Sequence, residues 1–164
     1  MAFSDITYSK NMNELKDFSV EETHKTPLID FNHITGELII SGKSIPENPA
    51  KIYEPVMEWV SIYITNPRPV TNLRFNVEYF NTASSIWFSK IIKALTQINN
   101  PDYLLIVHLY VPLEEYDDLN EIDDIRDAFG PITNLFQNTI PGVGLKLYGT
   151  NDNSEVVKDT MVLM

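Results

Sequence analysis

The fold class this sequence predicts is α/β, a mixed β-sheet with helices packed on it. Three observations carry the prediction. Residues 71–79 alternate strictly, with Leu73, Phe75, Val77 and Tyr79 on one side and Asn72, Arg74, Asn76 and Glu78 on the other, the pattern of a strand with one buried face. Residues 52–64 and 82–98 carry apolar side chains at helical spacing. Residues 103–111 are almost wholly apolar, as expected of a central strand covered on both faces. Strands that alternate with helices in this way make β-α-β units.

The elements follow in order. Residues 1–26 hold five acids, three lysines and no sustained period. They read as a polar tail, mobile or loosely docked, with a short helix conceivable over 12–18 and little contribution to stability. A single domain is expected over 27–164. Two short strand-like runs, 28–31 and 37–41, flank the turn residues 32–36 and form a hairpin. Asn48-Pro49 has the form of a helix cap with proline in the first turn. Ile52, Val56, Trp59, Val60 and Tyr63 form the stripe of the first helix. Pro55 requires that this helix start near Tyr53 or kink. The strand over 71–79 comes next. A helix over 82–98 then buries Trp87, Phe88, Ile91, Ile92, Leu95 and Ile98 and wets Ser85, Ser89, Lys93 and Thr96. A helix is expected over 120–136 and a last strand over 144–149, with no assignment beyond.

Charge and composition exclude several functions. Twelve basic against 23 acidic residues give −11, a field that repels nucleic-acid phosphates and anionic lipid. No basic cluster exceeds one Lys, so no nucleic-acid partner and no membrane association is expected. Met1-Ala2-Phe3-Ser4-Asp5 lacks a basic start and an apolar core, which points to a cytoplasmic protein. Without cysteine there is no disulfide, thiolate metal site or cysteine nucleophile.

No catalytic signature emerges. His24, His33 and His108 have no metal-ligand spacing, and His108 reads as a satisfied histidine in an apolar strand. No dinucleotide, Walker or nucleophile-elbow pattern occurs. Residues 114–127 contain eight carboxylates and one base. As a calcium loop they place Ile122 where an oxygen is needed and lack the loop glycine, so a solvated acidic face is the better reading. No metal and no cofactor is expected.

The segment Glu78-Tyr79-Phe80-Asn81-Thr82-Ala83-Ser84-Ser85 is more informative, because a strand ends and a helix begins within it. Asn81 or Thr82 can cap the helix, and residue types alone favour plain capping. Three hydroxyls at an exposed helix start also suit reversible phosphorylation, since free N–H groups and the helix dipole tolerate the added charge there.

Two motifs together resemble the SiaC family of bacterial regulatory phosphoproteins. One is Ser41-Gly42-Lys43-Ser44-Ile45-Pro46-Glu47-Asn48, followed by Tyr53-Glu54-Pro55-Val56-Met57-Glu58-Trp59. The other is Tyr79-Phe80-Asn81-Thr82-Ala83-Ser84 at the end of the alternating strand. The resemblance covers residues 26–136 and implies a STAS-like fold, as in anti-sigma-factor antagonists. It implies a non-enzymatic partner switch. A cognate Ser/Thr protein kinase phosphorylates the motif threonine and a PP2C-type phosphatase restores it. The unphosphorylated form binds and stimulates a diguanylate cyclase, raising cyclic di-GMP and favouring biofilm. The threonine falls on Thr82; Ser84 and Ser85 are lesser candidates. Asn81 and Tyr79 would support the turn, and Pro46, Glu47 and Asn48 the neighbouring loop. Two other readings stand beside it: an anti-sigma-factor-antagonist-like module controlling transcription, and a small hydrolase using the acidic stretch.

Overall fold

Antiparallel pairing starts the sheet. In the computed structural model, which describes residues 15–164, β1 (Phe18–Val20), β2 (Leu28–Phe31) and β3 (Glu37–Ser44) form a meander. Asn32 closes the β2–β3 turn through its side chain, which accepts the N–H groups of Ile34 and Thr35. Gly36 completes the turn at φ +74°, where a Cβ would lie 2.5 Å from the Val70 carbonyl oxygen, so only glycine fits.

Parallel strands follow. Helix α1 (Pro49–Tyr63) leads to β4 (Val70–Phe80), α2 (Thr82–Leu95) to β5 (Leu104–Pro112), and the short helices α3 (Leu113–Asp117), α4 (Ile122–Ala128) and α5 (Gly130–Thr133) to β6 (Gly142–Thr150). The antiparallel strand β7 (Val156–Leu163) ends the chain. The seven strands lie in sequence order, β3 to β6 parallel. With that order, right-handed crossovers lay the helices that connect β3 to β6 on the same face. The core is on that face: Leu38, Ile40, Leu73, Leu105, Val107, Leu145 and Leu147 meet Val56, Val60, Ile91, Ile92 and Leu95, all buried. Each such side chain contributes about 1.5–3 kcal/mol by leaving water.

The α/β class stands as expected; three elements and one residue differ from the expectation. β5 is central, but helices cover only one of its faces; the other carries His108 and Tyr110 in a polar network. The helix expected over 120–136 is broken, because Phe129 leaves helical geometry (φ −110°, ψ 28°) ahead of Gly130-Pro131, two poor helix interior residues. α1 starts at Pro49, after Asn48 as the Asn48-Pro49 pair predicts, and not near Tyr53; it continues through Pro55. Pro55 and Lys51 are both exposed, so the Lys51 carbonyl that loses its partner is left to water. Thr96, expected on the wetted face, is buried and bonds the Lys93 carbonyl at 2.6 Å.

The polar tail expected over 1–26 also contains structure. Residues 1–14 lie outside the described residues, and with them most of the helix considered over 12–18; Leu15–Phe18, its described end, is not helical. β1 extends the sheet, Trp59 Nε1 donates to the Lys16 carbonyl at 2.7 Å, and Asp17 accepts from His33 at 2.6 Å. Leu15, Phe18 and Val20 pack on the core. Removing residues 1–25 is therefore expected to cost about 2 kcal/mol, a fall of roughly 4–8 °C in the melting temperature. An unchanged thermal melt of the truncated chain would show that β1 adds nothing.

Candidate functional site

The site lies at the C-terminal ends of the parallel strands, where β4 turns into α2. Asn81 is the hinge. Its N–H donates to the Ser44 carbonyl (3.1 Å), and its side-chain oxygen accepts the Ser84 N–H (2.9 Å). The first helical bond is made by Ser85 N–H to the Asn81 carbonyl (3.1 Å). The N–H groups of Thr82 and Ala83 precede that bond and point out of the helix start.

The three hydroxyls have different fates. Thr82 is exposed. Ser85 is half-buried and its hydroxyl donates to the Thr82 carbonyl at 2.6 Å. Ser84 is wholly buried: it donates to the Ser44 carbonyl (2.9 Å) and accepts from the Ser44 hydroxyl (2.8 Å). Tyr53, also buried, bonds Ser44 Oγ. Burial pushes the Tyr53 phenol up to about 12, so it stays a neutral donor. These hydroxyls tie α1, the end of β3 and the first turn of α2 into one unit. Sequence reading singled out neither Ser44 nor Tyr53, although both stand inside the motifs it used.

The remaining motif residues shape the rim. Pro46 is buried, while Glu47 and Asn48 are exposed. Glu47 meets Lys25 at 3.4 Å, and Ile45 N–H donates to the Lys25 carbonyl at 2.8 Å. Asn48 precedes α1 without a side-chain cap bond. Tyr79, expected on the buried face of its strand, is 65% exposed. A bulge explains this: Gly42 pairs with Val77 but Lys43 pairs with Tyr79, so Glu78 is extra and the alternation slips. Phe80, Ile86 and Ile45 are exposed around Thr82 as well (55%, 53% and 39%), which makes this edge apolar.

A second polar group lies on the open sheet face. Arg74 forms two bonds to Glu37 (2.8 and 3.2 Å) and reaches Tyr110 OH at 2.9 Å. His108, 4% exposed, contacts Tyr148 OH through Nδ1 (2.6 Å) and Asn72 Oδ1 through Nε2 (2.7 Å). This agrees with a satisfied histidine. Burial, and next the Arg74 charge, hold its imidazole down to about 4. The acids of α3 and α4 are exposed, and Asp124 accepts the Glu121 N–H at 3.1 Å as a helix cap.

Fold and junction together define an α/β domain whose exposed chemistry is a hydroxyl at a helix start, framed by apolar side chains. The chain belongs to the SiaC family of regulatory phosphoproteins, which matches residues 20–136. Its fold is similar to apo-SiaC from Pseudomonas aeruginosa, with a TM-score of 0.56 at 19% identity, over 77% of this chain and 97% of that one. It is also similar to a structure of the diguanylate cyclase SiaD in complex with its activator SiaC from the same organism, with a TM-score of 0.57 at 21% identity, over 68% of this chain and 91% of that one. An uncharacterised protein of P. aeruginosa strain UCBPP-PA14 is 29% identical over 70 residues, 43% of this chain and 56% of that relative. Among the described residues, no helix is long and apolar enough to cross a membrane.

Proposed function

We propose that the protein is a non-enzymatic partner switch of the cytoplasm, set by reversible phosphorylation of Thr82. A cognate Ser/Thr protein kinase adds the phosphate and a PP2C-type phosphatase removes it. The unphosphorylated form binds and stimulates a diguanylate cyclase. Family membership supports the switch, and SiaC, solved with SiaD as its activator, supports the cyclase as effector.

One observation carries the choice of residue: Thr82 is the exposed hydroxyl at the helix start, while Ser84 is wholly buried behind it. A kinase must present the hydroxyl to a phosphoryl donor, and Ser84 would have to abandon two buried hydrogen bonds of its hydroxyl to do so. Ser85 is partly accessible but commits its proton to the Thr82 carbonyl. Thr82 also has free N–H groups beside it to receive the phosphate.

The test is peptide mapping after incubation with the host's own kinase and ATP. Wild type is expected to carry one phosphate, on Thr82, and Thr82→Ala to carry none. Undiminished incorporation in Thr82→Ala, mapped to Ser85, would sink the assignment.

A further inference from the structure

The two middle strands part beside α2. β4 stays paired with β3 as far as Phe80, and β5 with β6 as far as Pro112, yet the ladder between β4 and β5 ends at Phe75 and Leu109. The direction of the backbone groups shows which are stranded. The Pro69 carbonyl accepts from Leu104 N–H (2.9 Å), and Asn72 N–H donates to the Gly36 carbonyl (2.8 Å). Odd residues of β4 therefore turn their peptide groups toward β5, and even residues toward β3. Val77 is the next odd residue, and its N–H and C=O face the gap where β5 has diverged and no longer pairs with β4. After the bulge at Glu78, Asn81 N–H points to Ser44, so Phe80 takes over the gap side.

That gap opens into a cavity of about 620 Å³, floored by Phe75, Phe88 and Leu109 and walled by Ile86 of α2 and Ile132 of α5. Among the described residues, two charged side chains line it, Glu78 and Glu115, no Lys or Arg does, and Thr82 is not one of the lining residues.

We propose that this notch is a strand-addition site for an extended segment of a partner protein. The segment is apolar at alternate residues and carries Lys or Arg between them. Its backbone pairs with Val77 and Phe80, its apolar side chains sit on Phe75 and Phe88, and its cations meet Glu78 and Glu115. A helix fits the notch less well. A helix satisfies its own backbone, so burying Val77 beneath one would strand each polar group at about 1–3 kcal/mol. An extended segment supplies the missing partners. The carboxylates at the mouth select positive charge. The inference rests on the reading that this end of the sheet meets the effector, and it names the effector's chemistry there.

The probe is a phage-displayed library of random twelve-residue peptides, selected on the biotinylated full chain. Two variants report on the notch. Val77→Pro removes an N–H that the β3 ladder does not use, so the melt should stay near wild type. Ile132→Lys places a cation inside the cavity and leaves the strand edge intact, which keeps the test valid if the proline variant does not fold. Enriched peptides are expected to alternate apolar residues with Lys or Arg and to bind each folded variant at least about tenfold more weakly. Peptides with apolar residues at helical spacing, acidic peptides, equal binding to the variants, or no enrichment would each overturn the proposal. The same peptides on Thr82-phosphorylated protein separate the two readings. Notch-dependent binding keeps strand addition whether or not the phosphate affects it, and effector binding that ignores the phosphate removes the switch. Phosphate-sensitive binding that ignores Val77→Pro and Ile132→Lys keeps the switch and removes strand addition.

Discussion

Phosphate on Thr82 is expected to weaken effector binding about 30- to 100-fold, some 2–3 kcal/mol, and to leave the melting temperature within a few degrees of the unmodified protein. The two halves have separate causes. The fold tolerates the charge because Thr82 is exposed and the Thr82 and Ala83 N–H groups precede the first helical bond. A dianion there meets the positive end of the α2 dipole, a contribution of about 0.3–1 kcal/mol in favour of the folded state. The cap itself is untouched, since Asn81 bonds the backbone of Ser84 and not the Thr82 hydroxyl.

Binding suffers because of what surrounds the residue. Tyr79, Phe80, Ile86 and Ile45 give the neighbouring surface an apolar character. A partner that packs on them must strip water from the phosphate and offer carbon in return, which costs several kcal/mol. Basic residues on the partner would be drawn to the added charge, but beyond roughly 8 Å salt screens that attraction, and it does not offset desolvation at contact. Thr82→Ala is expected to bind like the unmodified protein. Thr82→Asp, with less charge and a different shape, is expected to fall between. Thermal unfolding and effector affinity, measured together on all four forms, decide the matter. Tighter binding by the phosphorylated form, or loss of its cooperative melt, would refute this mechanism.

The sequence displayed the helices and strands that are amphipathic over several turns or pleats, and hid those decided by contacts far away. β4 and α2 were legible because one face of each is apolar at a regular period. β1 was not: three residues, Phe18–Val20, carry no period, and their strand state comes from pairing with β2. β7 has the pattern of an exposed edge, with Val156, Val157, Met161 and Leu163 all open to solvent, so no alternation marked it. The open face of β5 was hidden for another reason. A run such as Leu104-Leu105-Ile106-Val107 looks the same whether its second face meets helices or a polar cluster. At the candidate site, position and residue type were legible in Asn81 and Thr82. The ranking of Thr82 above Ser84 and Ser85 came from the family resemblance and not from residue types, because the burial of Ser84 depends on Ser44, forty residues away. The notch was also illegible, since where a ladder ends depends on how two strands diverge in space.

Stability is expected to fall by up to about 3 kcal/mol between pH 6.5 and pH 4, and His108 is the cause. Its folded-state value is about 4, against 6.5 for the free side chain. A depressed histidine binds fewer protons folded than unfolded within that window, so stability rises with pH there. The contribution is fully present above 6.5 and is lost as the pH falls toward 4. The geometry gives the reason. Nε2 carries the proton toward Asn72 Oδ1, and Nδ1 accepts from Tyr148 OH, with Arg74 Nη1 also 3.3 Å away. A second ring proton would evict the Tyr148 donor and set two cations side by side in a site with little water. The Glu37 carboxylate offsets part of this, but both of its oxygens are bound to Arg74, and burial and the Arg74 charge outweigh it. The hydrogen bonds from His33 hold Asp17 below its usual 3.8, so its loss belongs to still lower pH and does not blur the window. Urea midpoints at pH 7, 5.5 and 4.5 should therefore decline steadily in wild type. His108→Gln, destabilised at neutral pH by an imperfect fit to Tyr148 and Asn72, should show a much flatter profile. Equal slopes in the two proteins would mean that His108 does not titrate in this range.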